Sequence, residues 1–164
     1  MHLLLHFCQW LCHTSLGTAI RESTYVYPII ETIHTLATVL LVGTVVIVDL
    51  RLLGLLLKRE PVSQIAGQLL PWTWLGFIIM LVTGLLLFWA EAEKMYGNPA
   101  FRIKLLLLLL AGLNPLIFHF TIYRRVSTWE LAPVTPTRAK AAAFLSLTLW
   151  SGIIITGRAI AYFH

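Results

Sequence analysis

Four apolar runs, each long enough for a helix to cross a bilayer, take up most of this chain and leave only short connections. A hydrocarbon core of ~30 Å needs about 20 residues at 1.5 Å rise each. The runs cover residues 27–48, 70–90, 103–123 and 141–162. Lipid offers the backbone no hydrogen-bond partner, so a spanning chain is helical or a closed barrel, and these runs exceed the length of barrel strands. Charged residues make up 12% of the chain, about half the share that keeps a soluble domain wet. The expected fold is all-α, one integral membrane domain over 1–164 built as a four-transmembrane-helix bundle.

Punctuation agrees with these boundaries. Arg59-Glu60-Pro61 is read as the stop after span one, Pro71 as the start of span two, Gly97-Asn98-Pro99 as a turn, and Pro133 and Pro136 as breakers before span four. Trp72, Trp74, Trp89, Tyr123 and Tyr162 fall at run ends, where amphipathic rings favour the headgroup level. Seven Lys and Arg lie in the connections after spans one and three, and five lie on the opposite side. The positive-inside rule then places both termini outside. Basic residues scattered at membrane edges account for the net charge of +5 without nucleic acid as a partner.

Residues 1–17 lack the basic start of a signal peptide. At 100° per residue His2, His6, Gln9 and His13 share a narrow face, with leucines and aromatics around the rest. This pattern predicts an interfacial amphipathic helix, polar stripe toward the headgroups. Histidines four apart can also point at one metal ion. Cys8 and Cys12 project from a different sector.

Ionisable groups inside a span are costly, so each is a candidate site. In span one Tyr27, Glu31, His34 and Thr38 occupy roughly a 60° sector that should face the interior. In span three Lys104, Ala111, Pro115 and His119 fall on one face. An imidazole here can ligate haem iron, bind another metal, relay protons or bond a neighbouring helix. His34 lies about 10 Å below the outer edge and His119 about 22 Å, which argues against one iron sharing both. At the level of His34 stand Glu31, Lys104, Arg102 and Arg158, whose cations could neutralise haem propionates.

The strings Pro28-Ile-Ile-Glu-Thr-Ile-His34, Val48-Asp-Leu-Arg-Leu-Leu-Gly54, Pro71-Trp-Thr-Trp-Leu-Gly76 and Asn98-Pro-Ala-Phe-Arg-Ile-Lys104 resemble an uncharacterised family of small bacterial four-helix membrane proteins. The span-one histidine followed by a span-three lysine, an apolar run and a histidine more distantly resembles the HemJ-type protoporphyrinogen oxidase and the membrane domain of copper resistance protein D. The HemJ-type resemblance implies haem b, with His34 and Lys104 at the positions that matter there. The Pro-Arg-rich stretch after the first HemJ helix is absent, and Val48-Asp49-Leu50-Arg51 stands in its place.

Three functions follow as expectations. The first is a haem b protein, an electron-transfer or oxidoreductase module with His34 on the iron, His119 as a second metal-ligand candidate, and Lys104, Glu31, Arg102 and Arg158 around the cofactor. The second is a copper binder or transporter using His34, Met80 and the N-terminal histidines. The third is a cofactor-free structural subunit of a membrane complex. Expected partners are the lipid bilayer, a second copy of the chain or a redox partner protein.

Overall fold

The computed structural model describes residues 2–130 and 135–162, so Pro133 and the side chain of His2 lie outside the described residues. The chain is all helical: α1 (His2–Cys12), α2 (Ser15–Glu22), α3 (Val26–Leu53), α4 (Val62–Gly97), α5 (Pro99–Thr121), α6 (Val126–Trp129) and α7 (Thr137–Ala159), with a 3-10 turn at Tyr123–Arg125. Four helices are long and apolar enough to cross a membrane, and they carry the four runs read from the sequence.

Two boundaries differ from the sequence reading. Helix α3 stops at Gly54, not at Pro61. Gly54 takes a left-handed φ of 74°, and its N–H donates to Arg51 O while Leu55 N–H reaches Leu50 O at 3.0 Å. This Schellman closure satisfies the last carbonyls and suits a residue without a Cβ. Pro61 instead caps the start of α4 and leaves Pro71 inside that helix. Proline there removes one backbone donor, which a helix between packed neighbours tolerates.

The four long helices form a ring in the order α3, α4, α5, α7, with diagonal backbones held apart. Three sides are well packed. The α4–α5 side is the thin one, joined by the Phe88–Phe101 ring stack at 5.5 Å beside the connecting turn. Asn98 makes that turn, accepting from Ala100 N and Phe101 N and donating to Ile160 O on α7 at 3.1 Å.

Lipid is as apolar as leucine, so helix pairing relies on close packing and on hydrogen bonds. The antiparallel α3–α4 seam supplies both at roughly heptad spacing. Thr73 Oγ1 donates to Thr44 Oγ1 at 2.9 Å, Gly76 meets the backbone of Leu41, and His34 meets Thr83. Ala37, Leu41, Met80, Ala111, Leu149, Trp150 and Ile153 form the central core. A second core near the far connections joins Leu52 and Val62 to Ala139 and Ala143.

The N-terminal helix does lie against the bundle. Cys8, Leu11 and Cys12 are buried on Ala92 of α4. His6 and His13 face outward, as do Leu4, Phe7 and Trp10. Helix α4 bends at Glu91, whose φ of −128° and ψ of 31° are not helical. Beside this bend the Arg21 guanidinium donates to Ala90 O and to Cys12 O, both at 3.3 Å, and ties α2 and the end of α1 to α4.

The α3–α4 crossing tests this packing. A Cβ on Gly76 would sit 2.9 Å from Leu41 N and 3.1 Å from Ala37 O. Gly76→Ala is expected to cost about 1–3 kcal/mol in reversible detergent unfolding, because the backbones must separate. A Cβ on Gly112 meets nothing within 4 Å. Gly112→Ala should therefore stay within about 0.5 kcal/mol of the parent.

Candidate functional site

The inward register of α3 passes through Tyr27, Ile30, His34, Ala37 and Leu41, all wholly or partly covered by neighbours. His34 is the ionisable member near the middle of this line. Its Nδ1 lies 2.9 Å from Thr83 Oγ1 on α4. The Thr83 hydroxyl sits 2.6 Å from Ile79 O and 3.2 Å from Met80 O, so its proton is committed to its own helix. Thr83 Oγ1 is then placed to accept from Nδ1–H, and the backbone of Met80 also bonds the ring. A fixed Nδ1–H is the arrangement that metal-ligating histidines commonly show.

Glycines let these side chains pack directly on the neighbouring helices. A Cβ on Gly84 would lie 3.1 Å from His34 Cε1, and one on Gly157 would lie 3.6 Å from Lys104 Nζ. Lys104 is half-buried at the start of α5, with its ammonium laid against α7 and close enough to His34 for electrostatic interaction. All four long helices therefore contribute: His34 from α3, Thr83 and Gly84 from α4, Lys104 from α5 and Gly157 from α7. Chemically the site offers one imidazole nitrogen and one primary amine in an otherwise apolar surround.

A protein-family profile described as a family of unknown function, DUF6644, matches residues 7–163. The chain belongs to this family. Searches of the curated proteins and of the solved structures return no match, so the HemJ-type and copper resistance protein D resemblance gains nothing from them.

Of the residues singled out by sequence, this DUF6644 chain brings His34 and Lys104 together and leaves the others apart. Glu31 is exposed, because it falls about 80° off the centre of the inward line of α3. Tyr27 stays partly covered and bonds to Glu91 at the bend of α4. Arg102 is exposed, donating to Tyr96 O at 3.1 Å with its guanidinium over the Tyr96 ring. Arg158 is also exposed. The expected face of Lys104, Ala111, Pro115 and His119 divides: Lys104 and Ala111 are covered, Pro115 and His119 are not. Covered positions on α5 run instead through Ala111, Asn114 and Phe118, and His119 is turned about 100° from Phe118. Its ring stacks on Tyr123 at 5.5 Å.

Among the described residues no three His, Cys, Asp or Glu side chains converge on one point. Burial, with Cys12 and Glu93 nearby, pushes the Cys8 thiol above its usual range. Thr83 and Gly84 complete the site, a hydroxyl and a small residue in the α4 register opposite His34.

The tautomer argument has a direct check. Thr83→Val removes the acceptor and leaves a buried ring N–H unpaired, which should cost about 1–3 kcal/mol in detergent unfolding. Thr83→Ser should restore stability, and nitrogen-15 spectra of the parent should show His34 as the Nδ1-protonated tautomer at neutral pH.

Proposed function

We propose that this protein binds haem b in the membrane through His34 and serves electron transfer or an oxidoreductase reaction. The observation that carries the reading is the His34 imidazole, held by Thr83 inside the bundle with the Lys104 amine within electrostatic reach. The residues present suit the group. Gly84 supports a fixed ligand ring, since it lets the imidazole pack on the α4 backbone, where an added Cβ would lie 3.1 Å from Cε1. His34 would hold the iron, and Lys104 would supply a cation or an amine near the bound group. When bound, haem supplies one-electron chemistry, its potential set by axial ligand, nearby charge and burial.

The chain's own contribution is orientation and exclusion. Thr83 holds the ring against rotation, and the surrounding apolar side chains would exclude water from a group held there. The exposed arginines 102 and 158 sit at the same end of the bundle as Lys104 and could draw an anionic group toward it. The proposed partner is a redox protein or a second copy of the chain.

Purified protein, air-oxidised and then dithionite-reduced, should show a Soret band with α and β peaks. His34→Ala should lose most of the haem while keeping its helical circular dichroism, and Lys104→Gln should shift the midpoint potential. A colourless parent preparation, or full haem in His34→Ala, overturns the assignment.

We further propose a bacterial inner membrane with both termini in the periplasm, on the Lys and Arg bias of the connections. Ser127 is exposed in α6. Ser127→Cys, in a chain with Cys8 and Cys12 replaced by alanine, should resist an impermeant maleimide in intact cells and react after lysis. Labelling before lysis reverses the topology.

A further inference from the structure

The bundle holds a second ionisable group that the His34 site does not use. Asp49 lies in the last turn and a half of α3 with 6% of its surface exposed, and its Oδ2 is buried with no hydrogen-bond partner. Ser146 of α7, itself 6% exposed, faces the carboxyl. The surround is apolar, with Leu52, Val62, Ala139 and Ala143 packed nearby along the same helices.

A carboxylate in such a place needs a cation, and among the described residues none forms an ion pair with it. Arg51 is the nearest in sequence, but positions two apart on a helix do not face each other. Its guanidinium is committed elsewhere, donating through Nε to Glu60 O at 2.7 Å and through Nη2 to Glu130 O at 3.4 Å. Glu130 in turn is held by the backbone N–H and hydroxyl of Ser63. Of the basic residues in the first turn of α7, Arg138 is exposed and Lys140 half-buried. No charged group from α4 or α7 interacts with Asp49 among the described residues. An isolated buried carboxylate costs far more than the neutral acid does.

We propose that Asp49, with Ser146, is a proton-binding site in the membrane-spanning bundle, carrying its carboxyl as the neutral acid and exchanging that proton with the aqueous phase. The acid has one oxygen that no protein group occupies, which leaves it free to pass a proton to a single water. Asp49 stands about 6 Å along the helix from its Leu53 end, so the path to solvent is short at the end bearing the 54–61 connection. This site is independent of haem at His34, which sits fifteen residues away along α3, about 22 Å.

Infrared spectroscopy of the full chain in phosphatidylcholine vesicles, in choline chloride buffer at neutral pH, tests the proposal. The parent should show the C=O stretch of a protonated carboxyl that Asp49→Asn abolishes and that shifts down in deuterium oxide. Ser146→Ala should keep the band but move its frequency. Asp49→Asn, a neutral amide of the same shape, should fold with an unchanged thermal midpoint. An ionised Asp49 would give no such band, and an Asp49→Asn chain less stable than the parent would mark a charge-paired carboxylate; either result overturns the proposal. A band that never shifts in deuterium oxide marks a sealed acid and overturns the exchange. Loss of the band when sodium replaces choline overturns it in favour of a cation site.

Discussion

Helices in a bilayer gain little by hiding apolar surface from one another, since the lipid is as apolar as they are. What holds this bundle together is therefore contact that lipid cannot supply: backbones brought close at small residues, and hydroxyls bonded across the gap. Gly76 against Leu41, Thr73 on Thr44 and His34 on Thr83 lie along one seam, in one register. The placement of the imidazole depends on that register. A slip of α4 along α3 would remove its acceptor and its clearance together.

This dependence explains what the sequence disclosed. The spans were legible because transfer into lipid demands long apolar runs, and no soluble fold competes for such segments. The inward faces were much less legible. Hydrophobicity is spread around each span, so the useful signal is the small and hydroxylated residues at near-heptad spacing. Read that way, Thr44, Thr73, Gly76 and Thr83 mark the seam, and Glu31 drops off it. His119 was placed inward by an apolar pattern that cannot distinguish lipid from core.

Boundaries hid Asp49. An apolar run ending at Val48 makes the next residue look like part of a loop, whereas the helix continues to Leu53 and closes on Gly54. A left-handed glycine cap is a better stop signal than the proline seven residues later, because proline marks where the next helix starts. The polar groups at that end then sort themselves by reach. The long Arg51 side chain bends to loop carbonyls, and the short Asp49 side chain stays where the helix puts it.

The thin α4–α5 side gives the molecule a grain. It divides into two antiparallel hairpins, α3 with α4 and α5 with α7, leaning on each other mainly through α3 and α7. The imidazole is mounted on one hairpin and the amine on the other. Scissoring the hairpins about the α3–α7 contact, with the Asn98 turn as the tether, alters the spacing of His34 and Lys104 without any rotamer change. The two halves of the site thus stand on separate hairpins, so their spacing is set by how the hairpins pack and not by any one helix.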